Sequence, residues 1–467
     1  MRRRGFLQRL GAGGLSLGLG TGAVAGHPAP TDDSTAGRAT GTPTGNGLLG
    51  VLDLPAAHEA VVSPDGHTAY VAVGDGVALV DITAPADPQL LATRTDLLAD
   101  SADGPMQRVQ DLAVSGSRLL VVGPAHPSEG ARGLVVFDVS DRQAPRQVAT
   151  FEFDSTVHNC DFDGRYAFLT ANGRDSNPLV VVDTETEREV GTWSLFDVDA
   201  NWRDVSPGLR SLHDVTVQDG RAYLAHWDAG TWILDVADPA APELVSKVRG
   251  RDPATLAAVA EPWRESSLPP GNDHYVTVDE DATLLGVGSE TFALEDGTGG
   301  PSGIELFDVS DPTAPKSLAT IEPPPSENPT RDGVLTTAHN FELTEGRCYA
   351  SWYLGGITVH DLKDPSNPRA VYRWRDSQRA SFWTAQRAAG SFVATSTNAL
   401  GGVEVQPGLY TFADPSDDGS AGTDAQTETD ESRNGDGAAA AGAGGAGFGV
   451  AAALSAVGLW AWRRRGE

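Results

Sequence analysis

One short pattern recurs seven times along the 467 residues of this chain and restricts its possible folds more than any other feature. An apolar run ends in Asp in six copies, and Thr takes that place in the seventh: Asp81, Asp138, Asp183, Asp235, Asp308, Asp361 and Thr411. Successive copies lie 57, 45, 52, 73, 53 and 50 residues apart. A period of about 40 to 50 residues is typical of four-stranded propeller blades.

A second marker precedes each copy. It is a hairpin with glycine at its turn in six repeats, at Gly66, Gly116, Gly164, Gly220, Gly346 and Gly390. In the fifth repeat Asp281 stands at the expected turn position, and Asp also tolerates a positive φ. Because two independent markers agree on seven copies, the sequence predicts an all-β fold, a seven-bladed β-propeller of four-stranded blades.

The sequence also indicates how the turns form and how the ring closes. Asp-Pro-x-x-Pro follows the third strand at Asp238, Asp311 and Asp364, where the Asp side chain caps the turn and Pro sets φ. Residues 47–54 read as a lone outer strand, whereas the seventh repeat lacks one. The N-terminal segment is therefore expected to complete the last blade, which leaves no open edge.

These motifs resemble the LVIVD-repeat family, whose consensus is close to HDVxVxGxYAYVA followed by GLxIVDVSDPxxP. The resemblance covers roughly Leu48 to Pro415. It implies a β-propeller fold and leaves the activity open. Repeats one, three and seven depart from the Asp-Pro-x-x-Pro turn.

Both ends of the chain are typical of targeting segments. The cluster Arg2-Arg3-Arg4-Gly5-Phe6-Leu7 resembles a twin-arginine signal peptide. The C-terminal apolar run is long enough to span a bilayer, and the three arginines after it belong on the cytoplasmic side. The predicted segments are a signal peptide (1–26), a disordered linker (27–45), the propeller (46–415), an acidic disordered stalk (416–437), a transmembrane helix (438–462) and a basic cytoplasmic tail (463–467).

Gly447-Phe448-Gly449 resembles the start of an archaeal C-terminal sorting signal, although Ala446 stands where such signals carry Pro. If that signal is processed, a lipid replaces the helix. In either case we expect a protein exported by the twin-arginine route and anchored to the outer face of the cell membrane by its C-terminus.

The charge of the chain restricts its surroundings and partners. The formal net charge is -30, and only Lys247, Lys316 and Lys363 are lysines. Carboxylates keep a protein hydrated where concentrated salt screens their repulsion, so a halophilic source is expected. The same charge excludes nucleic acid as a partner. Cys160 and Cys348 fall in different repeats and are expected to be free, buried thiols in a monomeric propeller.

Four long segments link an outer strand to the next inner strand, at 93–108, 194–211, 249–272 and 322–337. Such links lie on one face of a propeller. Long loops on a repetitive core mark a binding face.

The residue about seven positions before each hairpin turn begins an inner strand beside the central channel. These residues are His58, Gln110, His158, His213, His274, His339 and Trp383. The five imidazoles could bind one transition metal, Zn or Cu, with adjacent carboxylates orienting them. Candidate ligand-binding residues at the same level are Gln110, Asp111, Asp214, Asp273 and Trp383. The alternative is structural, with each His hydrogen-bonding the next blade.

Two functions remain open from the sequence. One is a cell-surface binding module that presents its loop-rich face to an extracellular protein or glycan. The other is an extracytoplasmic metal-dependent enzyme, an oxidoreductase or hydrolase, that uses the histidine ring. Propellers carry out both kinds of function, so the fold does not separate them.

Overall fold

Seven antiparallel sheets of four strands each make up the described part of the protein. The computed structural model describes residues 47–128, 130–398 and 403–415. The predicted signal peptide, linker, stalk, C-terminal helix and basic tail lie outside these residues. Within the described segments, no helix has the length and apolarity needed to cross a membrane.

The strands follow one another blade by blade. One strand precedes the first blade: β1 (Leu48–Asp53). The first three blades contain β2 (Ala60–Val62), β3 (Thr68–Ala72), β4 (Val77–Asp81) and β5 (Gln89–Arg94); β6 (Asp111–Ser115), β7 (Arg118–Gly123), β8 (Gly133–Asp138) and β9 (Arg146–Glu152); and β10 (Val157–Phe162), β11 (Tyr166–Ala171), β12 (Leu179–Asp183) and β13 (Arg188–Trp193). The next two contain β14 (Asp214–Gln218), β15 (Arg221–His226), β16 (Gly230–Asp235) and β17 (Glu243–Lys247); and β18 (Asp273–Val278), β19 (Leu284–Ser289), β20 (Ile304–Asp308) and β21 (Lys316–Ile321). The last two contain β22 (Phe341–Thr344), β23 (Arg347–Ser351), β24 (Ile357–Asp361) and β25 (Arg369–Trp374); and β26 (Phe382–Ala388), β27 (Ser391–Ser396) and β28 (Gly408–Ala413).

The first strands of the blades form a closed ring. Each contacts the first strand of the blade before it and of the blade after it, and β26 of the seventh blade contacts β2 of the first. The first strands therefore surround one axis, as the repeat pattern predicted. The seven-bladed propeller of four-stranded blades is confirmed.

The ring is closed by the N-terminal strand. β1 pairs antiparallel with β28 and becomes the outer strand of the seventh blade, with Leu52 opposite Leu409 and Leu48 opposite Phe412. Both Leu52 and Leu409 are fully buried. The expectation that the N-terminal segment completes the last blade is confirmed.

The recurring Asp ends the third strand because its side chain stabilises the following turn. Asp81 Oδ1 accepts a hydrogen bond from the backbone N–H of Thr83 (2.8 Å), and Asp308 does the same for Ser310 (3.0 Å). Such local bonds let Asp replace the strand ladder with a turn. In the six repeats that carry it, this Asp is the last residue of the third strand.

The hairpin turns confirm the glycine marker with one correction. All six predicted turn glycines have positive φ. The sequence suggested Asp281 as the turn residue of the fifth repeat. The positive φ (50°) there belongs to Ala282 instead. Asp279 organises this turn, because its Oδ1 accepts from the backbone N–H groups of Thr283 (2.7 Å) and Leu284 (2.9 Å).

Burial explains why the second and third strands are mostly apolar. Both faces of β3 and β12 are covered by neighbouring blades, and every residue in these two strands is buried. The outer strands cover only the rim, so β17 contains no fully buried residue. Cys160 and Cys348 are free and buried, as expected.

Three short α-helices interrupt the links on one face: α1 (Leu195–Val198), α2 (Pro253–Ala257) and α3 (Pro262–Ser266). Two 3-10 turns, at Ala200–Asp204 and Pro207–Leu209, accompany them. All five lie in the links that lead from the third blade to the fourth and from the fourth to the fifth.

Candidate functional site at the channel mouth

The seven residues that the repeat alignment singled out lie at the beginnings of the first strands. Because those strands surround the axis, the side chains meet at one end of the channel. Neighbouring rings touch: the centroids of His213 and His274 are 3.8 Å apart, and those of His158 and His213 are 4.3 Å apart. His274 and His339 are separated by 5.1 Å.

Trp383 and Gln110 continue the same ring on either side of His58. The indole of Trp383 lies 4.1 Å from the imidazole of His339 and 5.1 Å from that of His58. The side-chain amide nitrogen of Gln110 lies 3.1 Å from Nε2 of His58. The structure therefore brings all seven predicted positions together at the channel mouth.

Side chains from outside the seven repeat positions also contact the ring. His126, in the link after β7, packs against His158 with 4.9 Å between ring centroids. Tyr353, in the link after β23, packs against His339 at 4.7 Å. Tyr353 stands at the end of a second strand, where the fourth repeat carries Trp227, whereas His126 has no counterpart in the other repeats.

Backbone carbonyls orient four of the five ring histidines. The pairs of Nδ1 and carbonyl oxygen are His58 with Ala56 (2.8 Å), His158 with Ala125 (3.3 Å), His213 with His274 (2.7 Å) and His339 with Trp383 (2.6 Å). A carbonyl oxygen can only accept, so Nδ1 carries the proton and Nε2 keeps a lone pair. Imidazoles held this way can act as hydrogen-bond acceptors or metal ligands.

Burial keeps these imidazoles neutral. Burial lowers the pKa of His213 and of His274 well below the usual value, and the neighbouring histidines lower both further. Burial likewise lowers the pKa of His339 to about 3. Neutral imidazole is the form that binds metal ions.

Glu290 completes a smaller cluster within the ring. Its Oε2 lies 3.4 Å from Nδ1 of His274, and its Oε1 accepts a hydrogen bond from the Tyr353 hydroxyl. Nε2 of His274 lies 3.3 Å from Nε2 of His339. Among the described residues, His274, Glu290 and His339 are the one group of three whose possible metal-ligating atoms all lie within 4.8 Å of one another.

The other three predicted metal ligands, His58, His158 and His213, line the same ring without joining that group. His58 Nε2 already has the Gln110 amide as its neighbour. The imidazoles of His274 and His339 are therefore the pair best placed to bind a single ion. The sequence analysis missed Glu290, which directly follows the second strand of its blade at the position that Trp227 and Tyr353 occupy in the fourth and sixth blades.

Buried carboxylates below the ring join consecutive blades. Asp111 accepts from the backbone N–H of Cys160 (2.6 Å), and Asp214 accepts from that of Val276 (2.9 Å) and from the Asn159 side chain (2.8 Å). Burial raises the pKa of Asp214 to about 7 and raises that of Asp111 well above its usual range. These contacts support the structural interpretation for both carboxylates.

Asp273 is engaged in a different contact. This fully buried carboxylate pairs with Arg249 and also accepts from the Thr231 hydroxyl (2.5 Å). The Arg249 guanidinium reaches Glu305 and Ser289 as well. The predicted ligand-binding residue Asp273 thus holds the start of the 249–272 segment against the fifth blade.

The four long links lie on the same face as the histidine ring, because each ends where a first strand begins. Two of them pack on each other: α2 contacts the 3-10 turn at Ala200–Asp204, and α3 contacts the turn at Pro207–Leu209. Arg251 pins the second link through ion pairs with Asp228 and Glu265. This face is therefore built from ordered loops.

Comparisons with known proteins agree with this architecture. The family described as LVIVD repeat matches residues 61–95 and 210–249, which fall on the first and fourth blades. No curated protein matches the chain with significance. Among solved structures, the Cps50 (Swd1) β-propeller domain of Myceliophteria thermophila is similar, with a TM-score of 0.52 and 10% identity over 78% of this chain and 99% of that one. The chain thus contains LVIVD-type repeats arranged as a seven-bladed β-propeller.

Proposed function

We propose that this protein is a cell-surface binding module whose loop-rich face captures an extracellular protein or glycan. The observation that carries the proposal is the concentration of long, ordered links on one face of an otherwise regular ring. Loops held by a rigid scaffold bind partners without a large loss of conformational entropy. The ion pairs of Arg249 and Arg251 supply that rigidity here.

Trp263 provides a candidate anchor on this face. It lies in α3 and is 53% exposed, which makes it the most exposed large apolar side chain among the described residues. The Arg331 guanidinium, from another long link, lies 5.7 Å from the centre of its ring. Exposed Trp beside Arg is a common centre of binding energy in protein interfaces, and Trp also stacks on sugars.

The geometry favours binding over the alternative, a metal-dependent enzyme. His158, His213, His274 and His339 are all buried. The carboxylates Asp111 and Asp214, which the sequence suggested as ligand-binding residues, are engaged in bonds between blades. A substrate would have to enter the channel to reach either group, whereas a partner reaches the links from solvent.

The proposed location outside the cell rests on the sequence of the two ends. The Arg2-Arg3 motif supports export, and the apolar run before Arg463 supports membrane attachment. Fractionation of the producing cells, with protease added to intact cells, tests this part. Protein in the membrane fraction that is protected from external protease would contradict the proposed orientation.

A photo-crosslinking amino acid at position 263 of the full-length protein tests the binding face in the producing organism. We expect a discrete crosslinked species, which mass spectrometry and glycan staining assign to a protein or a glycan. The Trp263→Ala variant should weaken capture of that partner by about 10-fold or more, as loss of a central aromatic anchor does.

The matched control is the same crosslinker at position 244. Leu244 is also an exposed apolar residue, at 41%, but it lies on the outer strand β17 at the rim. Equal crosslinking from both positions, or none from position 263, would refute the assignment of the binding face.

A further inference from the structure

Two imidazole nitrogens inside the ring lie so close together that a proton or a cation is needed between them. Nδ1 of His339 donates a hydrogen bond to the Trp383 carbonyl oxygen (2.6 Å), so Nε2 of His339 carries a lone pair. That lone pair lies 3.3 Å from Nε2 of His274. A proton or a cation between the two nitrogens would stabilise this arrangement, since two lone pairs repel each other.

The other nitrogen of His274 shows where its proton belongs. Nδ1 of His274 is buried without a hydrogen bond among the described residues, and Oε2 of Glu290 lies 3.4 Å from it. The carboxylate attracts an N–H at this position and repels a lone pair. With the proton on Nδ1, both Nε2 atoms present lone pairs to the space between them.

The separation of the two nitrogens matches a metal site. Zn–N bonds are about 2.0–2.1 Å long, so two nitrogens on one tetrahedral ion lie about 3.3–3.4 Å apart. The observed separation is 3.3 Å. Each ligating His usually gives its other N–H to a carboxylate or a backbone carbonyl, and Glu290 and the Trp383 carbonyl occupy those places here.

We propose that His274 and His339 bind one divalent transition-metal ion, Zn²⁺ or Cu²⁺, through their Nε2 atoms, and that Glu290 is a positioning residue for His274. Imidazole nitrogen suits both ions. Two protein nitrogens leave further coordination positions for solvent or an exogenous ligand. The site lies on the same face as the long links, but neither histidine belongs to a link, so metal binding can be tested separately from partner capture.

The competing arrangement is a direct N–H···N hydrogen bond between the two histidines. It places the proton of His274 on Nε2 and leaves the Nδ1 lone pair against Glu290, which must then hold a proton itself. This arrangement binds no metal ion, so metal titration separates the two.

The full-length protein, prepared without a histidine tag and stripped with a chelator, is titrated with Zn²⁺ against a chromophoric competitor. We expect one tightly bound ion per chain at neutral pH. Electron paramagnetic resonance of the Cu²⁺-loaded protein should show coupling to two imidazole nitrogens. His274→Gln and His339→Gln should each weaken binding by more than about 100-fold, and Glu290→Gln by about 10- to 100-fold, the usual cost of losing an orienting partner.

His226→Gln is the matched control. His226 is fully buried, and its Nδ1 also faces a carbonyl oxygen, that of Arg210 at 3.1 Å, but it lies outside the ring. This variant should bind metal like the unmodified chain. Near-ultraviolet circular dichroism checks that each variant is folded.

Two results would overturn the proposal. One is an unmodified protein that takes up no Zn²⁺ or Cu²⁺ at a micromolar free concentration, or whose Cu²⁺ spectrum lacks nitrogen coupling. The other is a folded His274→Gln/His339→Gln double variant that binds as tightly as His226→Gln. The first measurement needs no variant, so it decides the matter even if the substituted chains do not fold.

Discussion

Replacing Arg249 with Met should destabilise the propeller far more than the loss of an ordinary surface ion pair. The Arg249 guanidinium bridges Asp273 and Glu305 of the fifth blade from its position after the outer strand of the fourth. The Asp273 side chain is only 2% exposed. Arg249→Met keeps most of the side-chain volume and removes the charge, so Asp273 stays buried without a cation.

The structure allows the size of this effect to be worked out. Removing one partner of a buried pair costs about 3–5 kcal/mol, because the other charge is left uncompensated. Arg146 and Asp138 form a comparison pair whose side chains are 70% and 30% exposed. Exposed pairs contribute about 0–1 kcal/mol, so Arg146→Met should change the free energy of unfolding by no more than that.

Urea unfolding of the two variants and the unmodified chain, in the same salt, measures both effects. Asp273→Asn added to Arg249→Met should restore part of the lost stability, because the double variant no longer buries an unpaired carboxylate. If Arg249→Met loses no more stability than Arg146→Met, the carboxylate is not confined as the structure indicates and the reasoning fails.

Three further predictions concern the closing strand, a buried carboxylate and the thiols. Leu52→Ala should lower the free energy of unfolding by about 2–5 kcal/mol, because it opens a cavity where the ring closes. Thermal unfolding measures this loss. Asp214 has a folded pKa of about 7 against an ordinary 3.8, so its contribution to stability is lost as pH rises between these values. The stability of the unmodified chain relative to Asp214→Asn should therefore fall by up to about 1.4 kcal/mol per pH unit across that range, as urea unfolding at pH 5 and pH 7 would show. Burial raises the pKa of the Cys160 and Cys348 thiols, so neither should react with a disulfide reagent until the protein unfolds.

Each of these has a simple control. Val198→Ala, at an exposed position on α1, should change stability by less than about 0.5 kcal/mol; a Leu52→Ala effect of that size would contradict the role of the closing strand. A difference between Asp214→Asn and the unmodified chain that does not vary with pH would show that Asp214 is ionised in both states. Rapid labelling of one thiol in the folded protein would place it at the surface.

The sequence predicted those parts of the fold that depend on local chemistry. The Asp that ends six of the third strands and the Gly at six of the hairpin turns act through bonds and φ values within a few residues, so their combined spacing revealed seven blades. The fifth hairpin departs from the prediction because Asp279, two residues before Asp281, organises the turn and moves the positive φ to Ala282.

The candidate site was predictable only in part, for a physical reason. His274 and His339 occupy repeat-equivalent positions, so the periodicity located them at the channel mouth. Their approach to within 3.3 Å depends on Glu290 and on the Trp383 carbonyl, which are distant in sequence. The carbonyl contact recurs between His213 and His274, whereas the contact of Glu290 with His274 occurs in one blade alone among the ring histidines and follows from tertiary packing.

The pairing of β1 with β28 also brings the two ends of the described propeller together. Gly47, at the start of the propeller, accepts a hydrogen bond from the backbone N–H of Ala413 at 2.8 Å, so the chain enters and leaves at one place on the rim. A third strand runs from the histidine face to the opposite face, and β28 is the third strand of its blade. The described residues therefore end at Pro415 on the side of the propeller opposite the channel mouth and its long links.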